Sequence, residues 1–298
     1  LLWLAARLLP VISEFVVPIP PLLIAITDLL FLPLVALSIG LPIIRSGNYK
    51  NLIFTAILIA MTIANLLIHL QLLGITDATL ARGMDLELGL IVVVMVVMGG
   101  RVIPFFTERA LAFEAKRFSW IERSVIPLAV GWLIADLFQI SLVAMLLAAL
   151  SAVLNLIRLA GWFKLRMIRN PLIWILHVAY LFIPLGFALK AIAGVIQFPP
   201  YIATHAFAAG AIGAMTLGMM ARVALGHTAR PLKLAKITVA AFILMVIAGV
   251  VRVFLPMIPE LHTMAIHISG GLWIVAWGLF LVPYTPILLK PRIDGQFG

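Results

Sequence analysis

The sequence predicts an all-α fold, a polytopic bundle of transmembrane helices, from three observations. Of 298 residues, 64% are hydrophobic and 11% charged, and mean hydropathy is +1.22; soluble domains are about half apolar and about a quarter charged. Apolar runs of roughly twenty residues, long enough to cross a bilayer, recur along the whole chain. The cations gather in alternate gaps between those runs, as the positive-inside rule requires. That pattern makes the formal charge of +10 loop charge facing a cytoplasm rather than a nucleic-acid surface. The absence of cysteine excludes disulfides, thiolate-ligated clusters, c-type haem attachment and a thiol nucleophile.

Charges, glycines and prolines mark off about ten spans. They cover residues 1–17, 21–44, 50–74, 86–107, 120–137, 139–160, 171–195, 200–226, 235–255 and 262–289. The first opens on L-L-W-L-A-A-R-L-L, inside an apolar segment, with neither Met nor a basic leader, so the natural N-terminus is expected to lie upstream. Only Asp136 and Gln139 mark a turn between the fifth and sixth. No repeat, low-complexity tract or soluble module interrupts the series, which predicts one transmembrane helical domain over 1–298.

Strict alternation of the spans places 18 of the 21 Lys and Arg residues at one face and Arg82, Lys190 and Arg252 at the other. The rich face, which includes the C-terminus, is the expected cytoplasmic side of the membrane.

The fourth span ends M-G-G-R-V-I-P-F-F-T-E-R, residues 98–109. Gly99 and Gly100 weaken a helix, and Pro104 removes a backbone donor. Arg101 between them either snorkels to the headgroups or pairs with a buried anion such as a propionate.

Ionisable groups inside spans are functional candidates because their desolvation must be compensated. His69, His205, His262 and His267 fall toward the periplasmic end of their spans, and His177 and His227 toward the cytoplasmic end. Histidines at similar depth on separate helices build haem and metal sites, which makes His205, His69 and His267 the metal candidates. The alternative for each is a core histidine bonded to a nearby carbonyl, and His262, at a span entrance after Glu260, suits that alternative best. In the eighth span Ala206, Gly210, Ala214, Gly218 and Arg222 recur four apart. Such a stripe admits a close neighbouring helix; it also suits a flat macrocycle ligated by His205 with Arg222 near its propionates. Gly226 suits a C-cap there.

No phosphate loop, nucleophile elbow or H-E-x-x-H occurs. Asp28 and Asp136 are isolated carboxylates, proton-relay members or partners of a hydroxyl. Trp174, His177 and Tyr180 share a helical face on which a His–Tyr hydrogen bond is feasible.

Several stretches together resemble the NnrS family: A-N-L-L-I-H-L (64–70), G-G-R-V-I-P-F-F-T (99–107), W-I-L-H-V-A-Y-L-F-I-P-L-G-F (174–187), the long H-A-F-A-A-G-A-I-G-A-M-T-L-G-M-M-A-R-V-A-L-G-H-T-A-R-P-L (205–232) and L-L-K-P-R-I-D-G (288–295). The resemblance runs in order along nearly the whole chain. It implies an inner-membrane protein of about twelve spans that contains haem and copper and is associated with nitric oxide and nitrosative stress. His69, His177, His205, His227 and Arg101 match motif positions. Members of that family begin with roughly two further spans bearing a Trp-His-x-His-Glu segment, which this sequence lacks, so the resemblance implies an N-terminally truncated chain.

Two functions of different class follow. One is a haem or copper protein that binds nitric oxide or moves electrons. The other is a transporter or channel whose interrupted helices line a path for a small solute or metal complex. No nucleophile or acid–base pair in the sequence assigns a catalytic step.

Overall fold

A computed structural model describes residues 1–196 and 199–296. The described residues are helical with no strand, in the predicted order. The helices are α1 (Leu2–Phe15), α2 (Pro21–Arg45, interrupted at Leu30), α3 (Leu52–Leu72), α4 (Leu80–Leu111), α5 (Ser119–Leu137), α6 (Ser141–Trp162), α7 (Pro171–Ala193), α8 (Tyr201–His227), α9 (Lys236–Phe254) and α10 (His262–Leu289).

Eight of them, all but α1 and α5, are long and apolar enough to cross a membrane, and the protein is a multi-pass membrane protein. At 14 residues α1 is about 21 Å long, short of a hydrocarbon core of about 30 Å. Helix α5 has the length but carries Glu122, Arg123 and Asp136. Two of those charges are neutralised from other helices: Glu122 by Arg158 of α6, and Asp136 by Lys190 of α7 at 3.1 Å. Large apolar side chains such as Ile274, Val275, Leu281 and Val282 of α10 are exposed, which suits a lipid solvent.

The chain divides into two compact units, Leu1–Val94 and Met95–Gly298, and the division falls within the residues of α4. The first unit contains α1, α2 and α3. Its α2 and α3 pack so closely at Gly40 that an added Cβ would lie 3.0 Å from the Thr55 methyl. The second unit has an aromatic centre in which Trp132, Phe187 and Phe207 meet with ring centroids 5.1–5.9 Å apart.

Two local expectations change and one holds. Helix α4 runs through Gly99, Gly100 and Pro104 without a break, because the neighbours packed on those residues hold a backbone that they would weaken in isolation. Helix α8 continues past Gly226 to His227, and Ala229 (φ 57°) takes the left-handed conformation expected of a terminating glycine. The short turn between α5 and α6 is as read, with Gln139 at φ 57°.

Candidate functional site

The second unit holds a buried charge cluster built on α6. Ser151, Asn155, Arg158 and Trp162 follow one another at helical spacing, and all four are buried. Arg158 Nε donates to Glu122 Oε1 and Oε2 at 2.9 and 3.0 Å. Its Nη1 donates to the Val96 carbonyl at 2.8 Å and to the Tyr180 hydroxyl at 3.0 Å. The hydroxyl in turn donates to Asn155 Oδ1 at 2.6 Å, and Asn155 Nδ2 to the Ser151 carbonyl at 2.9 Å. Four helices therefore meet around one guanidinium.

The glycine pair of α4 makes that meeting possible. A Cβ on Gly100 would fall within the Arg158 guanidinium, and one on Gly99 within the Tyr180 ring. So the cation that these glycines serve is Arg158, which sequence reasoning counted as loop charge, rather than Arg101, which is exposed. The buried polar stripe Ser151–Asn155–Arg158 was the signal that would have found it. Tyr180, expected to pair with His177, spends its hydroxyl on this cluster; the His177 ring nitrogens face the carbonyls of Ile173 (3.1 Å) and Trp162 (3.4 Å) instead.

A second site in this unit surrounds His205. Helix α8 is α-helical over Tyr201–His205, π-helical over Ala206–Ile212 and α-helical again from Gly213. Such π segments widen a helix by one residue per turn and recur at functional sites. His205 Nδ1 is buried with no hydrogen-bond partner. The ring borders a cavity of about 290 Å³ lined by Ala208, Ala209, Ala248, Arg252, Ser269, Gly270 and Trp273. Tyr201 packs against both His205 and His262, with centroids 5.5 and 5.3 Å apart, and His262 Nδ1 is also buried and unpartnered. His262, set aside from the sequence, thus neighbours His205, whereas His267 is exposed. Arg252, one of the three cations at the sparse face, was likewise missed as a site residue, since its own span gives no sign of what lies opposite.

The small-residue stripe of α8 is filled by protein. Phe182 of α7 lies against Gly210, and Ile175 against Gly218, where a Cβ would come within 2.9 Å. A Cβ on Gly249 of α9 would likewise come within 2.9 Å of the Gly210 Cα. That occupancy leaves no slot for a macrocycle along the stripe. Arg222 is buried with its guanidinium 3.8 Å over the Phe106 ring, and its Nη1 lacks a hydrogen-bond partner. His227 is exposed at the end of α8.

In the first unit, Asp28 is the centre of a polar cluster rather than an isolated carboxylate. It pairs with Arg7, accepts from Asn65 Nδ2 at 3.1 Å and lies 3.0 Å from His69 Nε2. Asn65 and His69 reach one carboxylate because they stand four apart on α3. Beside them is a cavity of about 460 Å³ lined in part by Arg7, Ile24, Asp28, Asn65, Ile68 and His69. With Nε2 held by a carboxylate, Nδ1 is the ring atom left for a ligand. His69 and His205 belong to different units, and among the described residues no three His, Cys, Asp or Glu side chains converge as a metal site.

In the tail motif, Arg292 Nε and Nη2 donate to the two Asp294 oxygens at 2.9 and 2.6 Å. That hydrogen bonding holds the Asp294 carboxyl down at about 2.

Comparison with protein-family models matches residues 1–292 to the family described as NnrS protein. No curated protein and no solved structure matches the chain.

Proposed function

The chain belongs to the NnrS family, and from that premise we propose that it is a metal-binding inner-membrane protein of the nitric oxide and nitrosative-stress response. In this reading His205 is the principal imidazole ligand. The observation that carries it is the buried Nδ1 of His205, which has no protein partner, on a residue that borders a cavity. An imidazole nitrogen that no protein group occupies is available to a metal ion.

The space beside His205 suits a small ligand better than haem. A cavity of about 290 Å³ lies at the lower limit of roughly 300 Å³ for drug-sized ligands, and the α8 stripe is filled by Phe182 and Ile175. Imidazole donors suit copper, zinc and iron, and family membership favours copper among them. Copper bound there would supply ligation of nitric oxide and one-electron chemistry. Tyr201 and His262 would close the site on one side, and Trp273 would limit its size. Haem, if bound, is better accommodated beside His69, where the cavity is larger, Asp28 orients the ring and Arg7 offers a cation for a propionate.

His205→Ala should abolish copper retention after purification while leaving the protein monodisperse in detergent, because it removes the proposed principal ligand and leaves His262 alone to hold the ion. The check is metal content by atomic emission, alongside the absorbance spectrum of the nitric oxide adduct. Full copper in the variant would reject the assignment and favour a transporter instead.

We also propose that the C-terminus faces the cytoplasm, on the asymmetry of the loop cations. Reporter fusions after Arg169 and Lys236 should read cytoplasmic, and one at Thr79 periplasmic. A periplasmic signal from the 164–169 loop would overturn this orientation.

A further inference from the structure

We infer that the His205 cavity binds a small monovalent anion, held by the Arg252 guanidinium with the Ser269 hydroxyl beside it. The inference deepens the proposed function by naming a ligand class for the same cavity, and rests on that reading only where a metal is present. Three observations on the cavity wall lead to it.

The first is charge. Arg252 lies in the last turn of α9 and lines the cavity, and none of the ion pairs among the described residues includes it. Arg158, Lys190 and Arg7, also within or beside helices of this membrane protein, each meet a carboxylate. A guanidinium stays charged at any ordinary pH, so a cation partly removed from water is stabilised by an anion.

The second is hydrogen-bonding capacity. Besides Arg252 the wall offers the Ser269 hydroxyl, which makes one long bond of 3.3 Å to the Ile266 carbonyl and keeps its lone pairs. His205 Nδ1 is unsatisfied, and Nδ1 of neighbouring His262 is too. A buried ring nitrogen without a protein partner is served by a metal or by an ordered water. A metal there would place a second cation near Arg252, and an anion bound to both relieves that repulsion; without metal, an anion accompanied by water serves Nδ1 through the water.

The third is size and lining. Ala208, Ala209, Ala248 and Gly270 leave room with few side chains, and Trp273 adds an apolar ring to the wall. Space of about 290 Å³ admits a triatomic or tetraatomic anion with a few waters, each water taking roughly 30 Å³. The π segment that begins at Ala206 sets Ala208 and Ala209 on this wall.

Azide is a suitable probe because its infrared stretch reports its surroundings. Metal-free wild-type protein in nanodiscs of a zwitterionic lipid should bind azide saturably, with a shifted stretch, in competition with nitrate but not with urea. Arg252→Gln should weaken binding at least tenfold, and Arg252→Lys by less, since lysine keeps the charge and loses the fork. His205→Ala should keep azide binding within a few-fold while losing copper, so failure of the metal assignment and failure of the anion site are read on separate arms. Absence of saturable binding in wild-type protein, or equal binding in a monodisperse Arg252→Gln variant, would overturn the inference. Should Arg252→Gln fail to fold, the wild-type nitrate competition still decides.

Discussion

Gly100→Ala should unfold or strongly destabilise the second unit, with a loss of about 3–5 kcal/mol, the scale on which a buried ion pair is broken. The new methyl would occupy the position of the Arg158 guanidinium. That group cannot move aside cheaply: it is 4% exposed and engaged with Glu122, Tyr180 and the Val96 carbonyl. Displacement would leave several buried donors and acceptors unpaired together. Gly226→Ala is the matched control, since a Cβ there meets nothing within 4 Å and alanine is the better helix former by about 1 kcal/mol. Thermal denaturation followed by size exclusion in detergent would read the contrast. Equal melting temperatures for the two variants would refute the proposed cradle.

Glu122→Ala should cost nearly as much, and much of that cost should be recovered when Arg158 is removed in the same chain. Removing Glu122 alone leaves a guanidinium in the helix core with its carboxylate gone, and an uncompensated buried charge costs about 3–5 kcal/mol. Replacing Arg158 and Glu122 together by methionine eliminates both charges, and swaps of a buried pair for apolar residues are often neutral or better. Tyr180 and Asn155 remain bonded to each other in that double variant, which limits the damage. A double-mutant cycle on melting temperature gives the coupling directly. Additive losses would show that the pair behaves as two separate surface charges.

The two experiments concern architecture, and their outcome bears on function through α7. That helix carries Tyr180 in the charge cluster and Phe182 against Gly210, within the π segment that follows His205. A loosened α7 would therefore disturb the wall behind the His205 cavity, so copper and azide binding should be measured only on variants that remain monodisperse.

What the sequence determined by itself was the solvent, the helices and the family. A composition with 64% hydrophobic residues and apolar runs of span length leaves a helical bundle in lipid as the one economical fold, because every backbone group must be satisfied within its own segment. The predicted spans coincide with the helices to within a few residues, apart from α4, which extends further at both ends. The family followed from ordered motifs across residues 64–295, and the matched region spans 1–292.

What only the tertiary structure decided was which polar groups meet. Periodicity gives the face of a residue along one helix but not the helix opposite. Arg158 therefore looked like loop charge until α4 presented two glycines to it and α5 presented Glu122. Likewise His262 lay five residues from His267 in sequence, with no sign that Tyr201 would bring it beside His205 and leave His267 exposed. Asp28 stood alone in its span until α3 turned Asn65 and His69 toward it. In each case the deciding term is desolvation. A buried charge or imidazole needs a partner within about 3 Å, and partners that near come from helices distant in sequence.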